Sequence, residues 1–169
     1  MLRCARNDNS RLSLRGAERS DEAISGRPAP SVVIVHSLSH AVAALTAASR
    51  AGREILLASA PDAGGYTGPG WFKALAAAAQ EAVPEARFSA LLDCGDNVGA
   101  ALAAIRAEVD GVIFTGRADV TRRLADIARQ HGVRFEILRP RDALDLGEHF
   151  FASQESVERR CEEFLRRGT

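Results

Sequence analysis

The sequence predicts a single α/β domain: a five-stranded, mostly parallel sheet with helices on both faces, followed by a C-terminal amphipathic helix. Three observations carry this. From Ser31 onward, short β-branched runs alternate strictly with helical stretches, and connections of helix length call for right-handed crossovers between parallel strands. The runs are continuously apolar, as strands buried on both faces require. Finally, 169 residues with balanced charge suffice for one hydrophobic core and are too few for two comfortable ones.

The strands are read at SVVIVHS (31–37), EILLASA (54–60), RFSALLDC (87–94), GVIFTG (111–116) and RFEILRP (134–140). Val33, Ile34, Val35, Ile55, Leu56, Leu57, Leu91, Leu92, Ile113, Phe114 and Ile137 are the expected sheet core. The helices between them carry their own punctuation. LSHAVAALTAASRAG closes on Gly52, WFKALAAAAQEAVP stops at Pro84, DNVGAALAAIRAEV opens on Asp96 as N-cap, and ADVTRRLADIARQHG closes on Gly132. The last segment, SQESVERRCEEFLRR, sets Val157, Cys161, Phe164 and Leu165 on one stripe behind a Ser153 cap. Such a sheet is flavodoxin-like or Rossmann-like, with three layers; the orders 2-1-3-4-5 and 3-2-1-4-5 both remain open.

Residues 1–30 read differently. They hold six arginines, show almost no apolar periodicity and end in a Pro-x-Pro linker, so a disordered tail is expected there and the domain at 31–169. The stretches LRCARND and GAERSDEAIS also resemble translated palindromic repeats found between bacterial genes, which would make this stretch an artefact of start-codon choice.

Composition excludes several functions. A net charge of zero gives no electrostatic basis for nucleic acid or an anionic membrane surface. No apolar run approaches the roughly 18 residues of a spanning helix. Cys4, Cys94 and Cys161 are few and far apart, against a disulfide scaffold or a CxxC metal site and in favour of a reducing cytoplasm. His36, His40, His131 and His149 form no HExxH pattern, so no metal is expected. Lys73 is the only lysine, and the arginine and alanine richness fits a GC-rich bacterial gene.

In open α/β sheets ligands bind beyond the carboxyl ends of the strands. Those ends offer His36 and Ser37, Ser59 and Asp62, Asp93, Cys94 and Asp96, Thr115 and Arg117, and Arg139. The loop DAGGYTGPGWF (62–72) belongs to the same edge: its glycines allow close backbone approach, and Tyr66 and Trp71 offer rings suited to a lid or a subunit contact. No GK[ST] follows the glycines and no GxGxxG is present, which excludes a Walker loop and makes dinucleotide binding unlikely, leaving the cofactor unassigned.

Two functions follow. The first is a binding module, with Ser59, Asp62, Tyr66, Trp71, Thr115 and Arg117 holding a small anionic ligand, or the same edge pairing with a protein partner or a second copy. The second is a small enzyme of lyase, isomerase or hydrolase type, with Cys94 as nucleophile, His36 as base and Asp93 or Asp62 as orienter; this needs a partly exposed Cys94 within reach of His36. The phrase DGVIFTGRADV resembles a late βα unit of TIM-barrel enzymes, but five units do not close an eight-stranded barrel and no family follows.

Overall fold

The computed structural model describes residues 30–167. The expected tail therefore lies outside the described residues. The chain runs β1 (Ser31–Val35), α1 (Leu38–Arg50), β2 (Glu54–Ser59), α2 (Ala63–Tyr66), α3 (Gly68–Ala82), β3 (Arg87–Asp93), α4 (Val98–Arg106), β4 (Gly111–Ile113), α5 (Ala118–Gln130), β5 (Arg134–Glu136), β6 (Leu144–Asp145), a 3₁₀ turn (Gly147–His149) and α6 (Gln154–Arg167). The expected class holds: one α/β domain on a parallel sheet flanked by helices, with six strands where five were expected.

The strand order is β5-β4-β3-β2-β1-β6, which is neither order drawn from the sequence. Strands one to five simply follow one another, so each right-handed crossover steps the same way and returns on the same side. Val33, Val35, Ile55 and Leu57 pack with α1, α3 and α6, while Ala90, Leu92, Val112 and Phe114 pack with α4 and α5; partly buried Phe88 touches both groups. The opposite parity, Leu56, Ala58, Leu91 and Ile113 with Val32 and Ile34, forms a smaller cluster of strand residues alone.

Residues 137–143 explain why β5 is shorter than expected. Four strands separate β5 from β6, so the chain must cross about 24 Å at about 4.8 Å per strand. Its steps from Glu136 to Leu144 reach about 26–29 Å at full extension. The connection is a strap that bends at 137–138 and turns at 141–142, spending part of that reach, and β5 leaves the sheet at Glu136 to supply it. Ile137, expected in the core, is consequently 57% exposed on this strap.

Helix ends follow local chemistry. Ser37 caps α1 by accepting from the His40 N–H at 3.2 Å. Ser153 accepts from the Ser156 N–H ahead of the buried stripe Val157, Cys161 and Leu165. For α4 the cap is Asn97, not Asp96: its Oδ1 accepts from the Ala100 N–H at 3.0 Å. Asp96 stays free at the rim because the turn at Gly95 moves the helix start one residue on.

Candidate functional site

The carboxyl ends of the strands meet in a polar knot centred on Asp93, the last residue of β3. Its side chain is 3% exposed, and both oxygens are satisfied. Oδ1 accepts from the backbone N–H groups of Asp62 (3.0 Å) and Gly95 (2.9 Å) and from Arg139 Nη2 (3.1 Å). Oδ2 accepts from Arg139 Nε at 2.6 Å. This two-point grip is what the guanidinium fork provides and what a buried carboxylate requires. Arg139 Nη2 also donates to Asp62 Oδ1 at 2.7 Å, so one strap side chain ties the ends of β2 and β3 together. The bond to Asp93 raises the Arg139 pKa against the opposing effect of burial, and the nearby Asp62 raises it further.

Backbone geometry at the knot is demanding. Asp62 adopts a left-handed φ of 61° and Gly95 one of 53°. A Cβ at Gly95 would lie 1.8 Å from Asp62 Oδ1, so any side chain there must take up a strained φ and push Asp62 off Arg139.

Cys94 does not occupy the crevice. It is 1% exposed, a correction to its expected partial exposure. The strand parity turns it toward the helices, and Gly64 of α2 sits so close that a Cβ there would be 2.6 Å from Sγ. Burial, and then the charge of Asp93, push the thiol pKa up to about 12, away from the thiolate a nucleophile needs. Nor does His36 approach it: β2 stands between β1 and β3, a separation of about 10 Å. His36 Nε2 instead meets Asp145 Oδ1 at 2.7 Å, and Asp145 also accepts from the Gly147 N–H at 2.8 Å. The arrangement Cys94, His36 and Asp93 is therefore not brought together.

The other expected residues divide. Ser59 is buried; its hydroxyl accepts from the Asp93 N–H and donates its proton to the Ala60 carbonyl, so it has no donor left for a ligand. Tyr66 is 66% exposed, its hydroxyl donating to the Pro61 carbonyl at 3.3 Å. Burial, then Asp62 and Asp93, raise its pKa, so the phenol keeps its proton. The glycine arch expected over the site is instead helical: α2 takes Gly64 and Gly65, and α3 starts at Gly68 with Pro69 in its first turn. Trp71 rides on that turn.

Thr115 and Arg117 do share a cavity. It measures about 320 Å³ and is lined by Asp96, Val98, Phe114, Thr115, Gly116, Arg117 and Val120, between the first turns of α4 and α5. α5 has no side-chain cap. Arg117 is 82% exposed and holds Asp119 through Nε at 3.2 Å and Nη2 at 3.1 Å. A larger cavity of about 720 Å³ opens beside Pro30, where the residues outside the described range join the chain.

Three features escaped the sequence reading. The sequence marks Arg139 only as a strand end, because nothing local shows that the strap brings it back over β3. β6 was missed, although the alternation in Leu144-Asp145-Leu146 is the signal of a short edge strand. His40 is 1% exposed within α1, with Nδ1 accepting from the His36 N–H at 3.4 Å and a buried Nε2 that reaches no hydrogen-bond partner of normal geometry. Burial lowers its pKa, opposed by the backbone of His149.

Among the described residues no group of three or more His, Cys, Asp or Glu could hold a metal ion, and no helix is long and apolar enough to cross a membrane. Compared with known proteins, the chain matches no family model and no curated protein.

Proposed function

We propose that the protein binds a small hydroxylated anion, such as a sugar phosphate or a hydroxy acid, at the carboxyl end of its sheet between α4 and α5. The observation that carries this reading is the 320 Å³ cavity at the uncapped start of α5. The first N–H groups of that helix point outward without a side-chain partner, and the helix dipole adds partial positive charge there. Arg117 supplies an exposed cation. Its pair with Asp119 is exposed, worth about 0–1 kcal/mol, so an anion displaces it at little cost. Asp96 would repel a bare anion but accept from a hydroxyl, which favours a ligand carrying both. Phe114 and Val98 give the carbon skeleton an apolar wall.

Titration with glycerol 3-phosphate, read by amide chemical shifts, tests this. Saturable shifts at Thr115–Asp119 are expected, with Arg117→Ala weakening binding about tenfold to a hundredfold, the loss of one charge-assisted hydrogen bond. Absence of saturation, or saturation that Arg117→Ala leaves unchanged, overturns the reading.

A further inference from the structure

The large apolar side chains left exposed are not scattered. Among the described residues they are Leu38, Tyr66, Trp71, Val98, Ile137, Leu138, Phe150 and Phe151. Every one lies at the same end of the molecule. Leu38 and Val98 open α1 and α4, and Trp71 stands in the first turn of α3. Tyr66 ends α2 beside the knot, and Ile137 and Leu138 directly follow β5. Phe150 lies 5.7 Å, ring to ring, from His40 near the start of α1, and Phe151 lies 5.2 Å from Phe150. The opposite end, where the turns at Gly52, Pro84, Glu108 and Gly132 connect helices to strands, carries none of them.

One residue makes the point sharply. Phe151 is 98% exposed, its ring in full contact with water. A lone exposed apolar residue needs no explanation, but eight gathered at one end, around the polar knot of Asp62, Asp93 and Arg139, mark an interaction surface.

We infer that this end is the interface of a symmetric homodimer, in which two copies meet face to face across a two-fold axis. Area supports a protein partner. At 150–250 Å² per ring, the exposed parts of the four aromatics alone present on the order of 500 Å², and the four aliphatic residues bring the patch toward the roughly 800 Å² per partner of a standard interface.

Charge favours a second copy. A two-fold interface must complement itself, and this face carries both signs close together: Arg139 beside Asp62, and Arg117 beside Asp119. The chain's net charge of zero gives two copies no long-range repulsion. A membrane surface would call instead for a basic excess around the aromatics, which the mixed signs do not supply. Phe150 and Phe151, projecting from the turn before α6, are the natural anchors. The inference does not rest on anion binding, though Val98 belongs to both the patch and the cavity, so a second copy would roof that cavity.

Light scattering after gel filtration and sedimentation velocity on the full chain, without added ligand, test it. The expected mass is twice the 18.1 kDa of the chain, falling toward that value on dilution. Phe151→Asp with Trp71→Asp should shift the protein to monomer with an unchanged far-UV circular dichroism spectrum, because both side chains are exposed. Arg129→Glu, at the opposite end, should leave the dimer intact. A wild type that stays monomeric up to submillimolar concentration overturns the inference. So does a dimer that survives the double substitution, or a monomer that sediments with phosphatidylcholine–phosphatidylglycerol vesicles.

Discussion

Asp93 and Arg139 show how much of this site depends on two side chains far apart in sequence. Removing the guanidinium strands a carboxylate that is 3% exposed. A fully buried pair broken in this way costs about 3–5 kcal/mol, but Arg139 is 41% exposed and water screens part of the effect. Arg139→Gln should therefore cost about 1–3 kcal/mol in urea unfolding, and adding Asp93→Asn should recover part of it. A cost below about half a kcal/mol would show that the knot is ornamental. Cys94 makes the opposite case: with its thiol pushed up to about 12 and packed under Gly64, it should react with Ellman's reagent no faster than the protein unfolds, measured with Cys4 replaced by serine. His40 should contribute to acid sensitivity. Its pKa is lowered in the folded protein, by burial first and also by His36 and His149, against the raising effects of the His149 backbone and Asp145. Below the ordinary value near 6.5 the unfolded chain therefore takes up a proton that the folded one resists, and the contribution of His40 to stability falls as pH drops through that window. His40→Gln should flatten the dependence of the urea midpoint on pH between about 7 and 5; an unchanged slope would assign acid sensitivity elsewhere.

At the scale of elements, what was legible in the sequence is what depends on neighbours in the chain. The Ser37 and Ser153 caps, the positive φ at Gly52 and Gly132, and the stripe Val157, Cys161 and Leu165 are all local decisions, and all are found as expected. The misses come from long-range demands. RFEILRP has the composition of a strand, yet only Arg134–Glu136 pair, because the chain must cross the sheet to reach β1. PDAGGYTGPG has the composition of a loop, yet Ala63–Tyr66 and the stretch from Gly68 are helical, the latter with Pro69 in the first turn where its fixed φ fits. The strap carries a prediction of its own. Since the segment already gives part of its reach of about 26–29 Å to the turn at 141–142, deleting Ala143 takes up that turn and should pull β6 off β1. Loss of hydrogen-exchange protection at the Leu146 amide, which donates to the Ile34 carbonyl, would report it. Inserting two glycines at the same point only relaxes the strap and should change stability by less than about 1 kcal/mol. Equal tolerance of both changes would mean that the strap is slack.

For the molecule as a whole, strand order decides where chemistry can collect. Local patterning gives parallel strands and crossover helices but not which strand lies beside which, since that depends on packing among residues far apart in sequence. The sequential order separates His36 from Cys94 by a strand and gives His36 a partner, Asp145, from the short strand the periodicity reading passed over. The same order bears on cooperativity. The cluster around α1, α3 and α6 and the cluster around α4 and α5 have no sheet of their own; they share one, with Phe88 packed against both. Neither should survive loss of the other. Leu57 is 1% exposed in the first cluster and Leu92 0% in the second, so each truncation to alanine should cost about 2–5 kcal/mol. Both should lower one shared transition. Trp71, beside Phe72 of the second cluster, reports that side by fluorescence, and circular dichroism reports all the helices. Coincident curves in wild type and in both variants are expected; a Leu57→Ala variant whose circular dichroism falls before Trp71 responds would divide the chain into two independently folding halves.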